Sequence, residues 1–408
     1  MVIAVTILSI IVIHDHKTLS TMTEITSTTE ASSCNLNNTT LRIFNQTSTS
    51  ISSIIENQTN HSRCEQMTFA PSEVHQMLDA TLAMAVGDFD DDNLTDVILA
   101  NLNSKSIQIY SKYLNGRFQD RVRYNNFFFT DYFEIADVNN DKKKDVIFLT
   151  DDYSSVGFLM GFGNGSYFHE PALPTGSSPK AVATADFNGD HYLDLVVINR
   201  RSNMAGIFFG YGNGSFQERK HLYTLDGPYS VVTADFNNDN RIDFCIAETE
   251  AKTVTVYLND GKGNFPQTIS YSTINHPRNL AIGDFNADNY VDIAMTNTFN
   301  HTMTILLNLG DGNFYVEKFF PTGHTPYSIA VSDFNGDRYL DIVTANNNAN
   351  YLSLFLGLGN GNFQTEMKIF THGLLPVVIA VDFNNDNRID IVTTSRQYRT
   401  LIIIYNAC

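Results

Sequence analysis

The nonapeptide "DFNNDNRID" stands at residues 235–243 and again, unchanged, at 382–390. Looser copies are DFDDDNLTD (88–96), DVNNDKKKD (137–145), DFNGDHYLD (186–194), DFNADNYVD (284–292) and DFNGDRYLD (333–341). Their first residues, Asp88, Asp137, Asp186, Asp235, Asp284, Asp333 and Asp382, are separated by a constant 49 residues. A fixed period of this length marks a repeat architecture and takes precedence over a domain count based on length. Residues 64–408 are therefore one array.

Each period reads as four short strands. In the copy that begins at Pro179, one strand runs up to Asp186 and the nonapeptide turns it into "LDLVVIN". A polar turn leads to "AGIFFGY", and the corner "GNGSF" opens a fourth strand. Gly-Asn corners between alternating segments are hairpin signals. No helix-period stretch of useful length interrupts the array. Four antiparallel strands in 49 residues is the size of a propeller blade, which makes the fold all-β. The residue before the loop Asp is small in six copies (Gly87, Ala136, Ala185, Ala234, Gly283, Ser332), as crowding round an axis demands. Val381 and the displaced Pro376 break that pattern and predict a local bulge in the last unit. A solenoid is the alternative, although its end repeats should then look like caps.

Positions 1, 5 and 9 of the nonapeptide are Asp in every copy, and position 3 is Asn or Asp. These positions hold 22 of the 44 acidic residues. Hard oxygens at alternate positions of one short loop repel each other unless a cation neutralises them, and they suit Ca²⁺. No His or Cys recurs in the loop, which disfavours zinc and copper. Asx-turns alone would explain one or two such residues per loop, but not Asp at position 9, inside the next strand. Seven divalent ions add 14 positive charges and bring the formal −18 to −4. Position 6, where such loops usually carry Gly, is Asn93, Lys142, His191, Asn240, Asn289, Arg338 and Asn387. The run Lys142–Lys144 sets the second loop apart.

The DxNxDxxxD loop, the small residue before it and the "GNGSF"-type corner resemble FG-GAP/VCBS repeats, the units of integrin α-subunit propellers and of many secreted proteins. The resemblance implies a seven-bladed β-propeller of four-stranded antiparallel blades, with up to seven Ca²⁺ in the loops joining first and second strands. It implies ligands at positions 1, 3, 5, 7 and 9, position 7 through its carbonyl. In the first loop these are Asp88, Asp90, Asp92, Leu94 and Asp96; in the second, Asp137, Asn139, Asp141, Lys143 and Asp145. The third has Asp186, Asn188, Asp190, Tyr192 and Asp194; the fourth, Asp235, Asn237, Asp239, Arg241 and Asp243. The fifth has Asp284, Asn286, Asp288, Tyr290 and Asp292; the sixth, Asp333, Asn335, Asp337, Tyr339 and Asp341. The seventh has Asp382, Asn384, Asp386, Arg388 and Asp390. No particular ligand follows from the resemblance, because family members bind different partners.

The last copy stops at Cys408, before a fourth strand. The segment from Cys64 matches a fourth strand in phase, since Phe69 precedes Asp88 by 19 residues, as Phe216 precedes Asp235. An N-terminal strand should therefore complete the last blade and close the ring. In the repeat frame Cys64 and Cys408 fall at consecutive positions of one corner, within reach of a disulfide. Cys34–Cys64 is the rival pairing, and Cys245 should be a buried free thiol.

Residues 1–17, with the apolar run "VIAVTILSIIVI", read as a signal peptide or signal anchor. Residues 18–63 read as a disordered Ser/Thr/Asn-rich stalk with glycosylation sequons at Asn37, Asn38, Asn45, Asn57 and Asn60. Further sequons are Asn93, Asn164, Asn213 and Asn300. A secreted or cell-surface location follows. The acidic balance argues against nucleic acid as a partner. The array reads as an extracellular, calcium-stabilised binding or adhesion module for a protein or glycan, a monomer and not an enzyme. The alternatives are a carbohydrate lyase or hydrolase on a propeller scaffold and a structural spacer. The loops opposite the acidic turns vary most between copies, and variable loops usually carry binding. They hold Arg200, Arg201, His276, Arg278, His324, Tyr327, Arg396, Tyr398 and Arg399.

Overall fold

The computed structural model describes residues 4–5, 9–10, 64, 66–125, 130, 132–150, 154–217, 220–273 and 275–408. Ala4–Val5 and Ser9–Ile10 pair as two short antiparallel strands. The remaining readings of residues 1–63, including Cys34 and the five sequons there, lie outside the described residues.

Seven four-stranded antiparallel sheets account for the array. The fourth blade is typical: Pro228–Ala234 innermost, then Asp243–Glu248, Thr253–Leu258 and, at the rim, Gln267–Ser272. Burial grades outward along each sheet. The second strands, such as Asp194–Asn199 and Asp341–Asn346, are buried at every residue, because both faces pack against neighbouring blades. Their Val and Ile content suits such a two-sided environment. Rim strands such as Met367–Phe370 alternate half-buried with exposed, the period expected of a sheet wetted on one face.

At four of the seven seams an aromatic contact joins an acidic turn to the next blade's corner. Phe187 meets Phe265 edge-on at 5.6 Å, and Phe236 meets Phe314 at 6.1 Å. Phe285 lies 6.0 Å from Phe363, and Phe383 lies 6.4 Å from Phe118 of the first blade. The phenylalanine after the loop Asp therefore packs between blades.

The ring closes as the repeat frame predicts. Glu73–Gln76 pairs antiparallel with Thr400–Ile404 and is the fourth strand of the last blade. Phe69 bridges Asn406 as Phe216 bridges Gly210 and Phe363 bridges Gly357. A Cys64–Cys408 disulfide locks the junction, with Cα atoms 5.7 Å apart; Cys245 is a buried free thiol. The last innermost strand corrects one expectation. Five innermost strands carry a register shift near their start, in four of them just after proline. The last one, Val378–Val381, pairs without a shift. Displacing Pro376 thus shortens the strand, and the irregularity belongs to the ordinary blades.

Candidate functional site

The seven turns share one backbone. In each, the carboxylate at position 1 accepts hydrogen bonds from the N–H groups of positions 5 and 6, as Asp235 does from Asp239 (3.0 Å) and Asn240 (2.7 Å). The carboxylate at position 5 accepts from the N–H of position 7, as Asp239 does from Arg241 at 3.0 Å. In six loops the asparagine at position 3 accepts the position 5 N–H and donates its amide to the position 5 carboxylate, as Asn237 does to Asp239 at 2.8 Å. Position 6 is left-handed throughout, including Lys142 (φ 67°), His191 (φ 67°) and Arg338 (φ 73°). Position 4 is left-handed as well, with Ala287 at φ 60° the one Cβ-bearing residue there that is neither Asp nor Asn. Sequence reasoning missed position 4, although its run of Asp, Asn and Gly carried the signal.

Position 9 proves to have a structural task of its own. It is fully buried in every copy. One oxygen accepts the N–H of position 2, as Asp243 does from Phe236 (3.0 Å). In six loops the other accepts the N–H sixteen residues on, at the end of the third strand, as Asp243 does from Asn259 (2.7 Å). These aspartates are tie points between turn and blade as well as candidate ligands. Burial pushes their carboxyls up, to about 7 at Asp145, Asp194, Asp243 and Asp390 and to about 8 at Asp96, Asp292 and Asp341. The carboxylates at positions 1 and 5 add to the shift.

The first loop differs. Asp90 replaces asparagine, so no amide donates to Asp92, and burial together with Asp92 and Asp88 raises Asp90 to about 6. Carboxylate oxygens of Asp88, Asp90 and Asp96 lie within 4.8 Å of one another. Among the described residues, the buried Oδ1 atoms of Asp90 and Asp96 have no hydrogen-bond partner. Oxygens this close fit the 2.3–2.6 Å ligand shell of a calcium ion. The lysines of the second loop lean toward this cluster. Lys144 donates to the Asp88 carbonyl at 2.8 Å and Lys143 pairs with Asp91. Burial lowers the Lys144 ammonium, the cost of lending a charge to a closed seam.

The side chain at position 7 covers the first glycine of the corner in its own blade. A Cβ on Gly212 would lie 2.1 Å from the Tyr192 ring, and one on Gly359 would lie 2.2 Å from Tyr339. Acidic turns and glycine corners therefore share one face of the ring.

The opposite face brings several predicted residues together. Lys180, Tyr229, Arg278 and Tyr327 are the second residues of four successive innermost strands. The Arg278 guanidinium lies 4.2 Å from the Tyr229 ring centroid and 3.7 Å from that of Tyr327, and it donates to the Tyr229 hydroxyl. Arg200 approaches Tyr229 at 5.6 Å while paired with Glu250. His324 instead meets His301 at a tilt, 4.4 Å between centroids, and His276 meets Phe299 at 5.0 Å. No contact joins Arg201, Arg396, Tyr398 or Arg399 to this row among the described residues.

An all-β ring of seven four-stranded blades, each carrying an acidic turn between its first two strands, is a β-propeller of the acidic-loop class. Residues 137–197, 186–246, 235–295, 284–344 and 333–393 match the FG-GAP-like repeat, and the chain belongs to that family. No curated protein gives a significant sequence match. Among solved structures, BBS1N in complex with ARL6DN is similar at 10% identity, over 83% of this chain and 96% of that one, with a TM-score of 0.61. Virginiamycin B lyase from Staphylococcus aureus is similar at 10% identity, over 83% and 99%, with a TM-score of 0.56. An Agrocybe aegerita lectin, described as recognising non-reducing terminal N-acetylglucosamine, is similar at 16% identity, over 72% and 81%, with a TM-score of 0.51. At these identities the likeness concerns the fold.

Proposed function

We propose that this protein is an extracellular binding or adhesion module whose propeller is stabilised by calcium, and that it is not an enzyme. The cation reading rests on the first loop. Two buried carboxylate oxygens without partners, beside a third carboxylate, form an all-oxygen donor set, and the nearby lysines engage the Asp88 carbonyl and Asp91 rather than those oxygens. Buried charges need pairing or a metal. Position 1, 3, 5, 7 and 9 residues of each turn would hold one ion. The disulfide is consistent with an oxidising compartment.

The binding reading rests on Arg278. A guanidinium held between two tyrosine rings is oriented for an anionic group on a protein or glycan ligand. On this reading the ligand sits on the face away from the turns, at the mouth framed by Lys180, Tyr229 and Tyr327. The test is a screen of glycans and protein ectodomains with the full chain, repeated with Arg278→Ala and with Lys318→Ala as a remote control. Loss of at least tenfold in affinity confined to Arg278→Ala supports the reading. Unchanged binding by Arg278→Ala contradicts this placement, and turnover of a bound polysaccharide contradicts the assignment as a non-enzyme.

A further inference from the structure

Five corners share one Gly-x-Gly turn, and two of them differ from the rest in a correlated way. Phe162-Gly163-Asn164-Gly165-Ser166 and Tyr211-Gly212-Asn213-Gly214-Ser215 have an aromatic residue before the first glycine and serine after the second. The other three have Asp260, Leu309 or Leu358 at the first place and Asn264, Asn313 or Asn362 at the second. Aromatic and serine thus occur together or not at all.

The geometry of the two corners is the same. Phe162 donates its N–H to the Ser166 carbonyl, and Tyr211 to that of Ser215, each at 3.0 Å. The serine hydroxyl donates to the asparagine Oδ1, at 2.5 Å for Ser166 on Asn164 and 2.6 Å for Ser215 on Asn213. Among the described residues neither asparagine Nδ2 donates a hydrogen bond, and both side chains are exposed. The rings two residues earlier are bare, Phe162 at 56% and Tyr211 at 54% exposure. The other sequons of the array are built differently. The Thr95 hydroxyl of the Asn93 sequon is buried and turned toward the Asp382 carbonyl, and Thr302 of the Asn300 sequon accepts from Asn297.

We propose that Asn164 and Asn213 are N-glycan acceptors whose first N-acetylglucosamine rests on Phe162 and Tyr211. The inference depends on passage through the secretory pathway, as the functional reading does. In the transfer, the Nδ2–H of the asparagine is replaced by an N–C1 bond to the sugar. The C1–O bond to a lipid-pyrophosphate donor breaks, the pyrophosphate leaves with the electron pair, and the amide gives up one proton. The apolar face of the sugar then covers an aromatic surface that is otherwise wet. Both corners sit on the turn of the preceding blade, Gly165 donating to the Phe89 carbonyl and Gly214 to that of Val138. Glycans here would screen the acidic-turn face over the first three blades and leave the opposite face open.

The test is glycopeptide mapping of the full chain secreted from a mammalian line behind a heterologous leader, with enzymatic deglycosylation in heavy-oxygen water. Asn164 and Asn213 should be occupied, and Asn360, on the same turn without serine, should not be. Deglycosylation should lower the melting temperature, and by less in Phe162→Ala and Tyr211→Ala. Empty Asn164 and Asn213 in secreted, disulfide-bonded protein would overturn the assignment, and equal melting shifts in all variants would overturn the stacking. A parallel sample carrying its own N-terminus separates the two readings: retention in the cytosol would count against secretion, while the leader-borne sample still decides the acceptor sites.

Discussion

In the turn at 235–243, Asp243 accepts from Phe236 and Asn259, and Asn237 donates to Asp239. In the turn at 88–96, Asp96 accepts from Phe89 alone among the described residues, and Asp90 stands where the asparagine would. The residue that should reach Asp96 from the third strand is Lys112, at φ 55°, and it pairs with Asp120 instead. The fourth turn is thus closed by its own hydrogen bonds, whereas the first keeps two buried carboxylate oxygens without partners. The family match begins at residue 137 and excludes the first turn. The blade least like the family pattern therefore has the greatest need of a cation, so likeness in sequence and electrostatic demand are separate measures of a site.

The seam between the last and first blades gives the largest expected effect. Cys64→Ser with Cys408→Ser opens a loop of 344 residues, where the chain-entropy estimate for a disulfide is about 6 kcal/mol. The double variant should melt well below every single-turn variant, with amide exchange rising first at Glu73–Gln76. A melting temperature equal to that of the parent would mean that the closing strand holds without the bond. Next in size is the paired test of position 9. Asp243→Ala orphans two buried N–H donors, at about 1–3 kcal/mol each. Asp96→Ala orphans one and also removes a buried carboxyl oxygen that has no partner. In chelator, Asp96→Ala should therefore cost less than Asp243→Ala; equal losses would erase the distinction between the turns.

The third test is on pH. In metal-free protein the position 9 carboxyls lie near 7 to 8, above their unfolded value. Raised carboxyls bind protons in the folded state that the unfolded chain has lost. Their contribution is complete at low pH and disappears as pH rises through about 7 to 8. Chelated protein should therefore lose stability between about pH 5 and pH 8 in thermal melts. Calcium should flatten or reverse that slope, and identical slopes with and without calcium would remove the ion from the account.

Much of this was legible because a strict repeat turns sequence distance into position. Phe69 could be placed in a fourth strand because Phe216 fixes the same point in the frame, and the disulfide followed; the structure pairs Phe69 with Asn406. The second task of Asp243 was not legible, since its partner Asn259 sits sixteen residues away on another strand. Nor was the Arg278 sandwich foreseen, although Tyr229, Arg278 and Tyr327 recur at the repeat spacing and an alignment of innermost strands contains it. Pro376 misled because a displaced proline suggests a bulge, whereas the regular prolines mark the bulges.

The most direct test of calcium in the turns is a thermal melt of the full, disulfide-bonded chain in excess EGTA, against the same protein in Ca²⁺ and in Mg²⁺. Removal of an ion bound only by the folded state lowers apparent stability by mass action. The melting temperature should fall by several degrees or more in chelator, return with Ca²⁺ and return poorly with Mg²⁺, which prefers smaller octahedral sites. A melting temperature unchanged by EGTA would contradict the account.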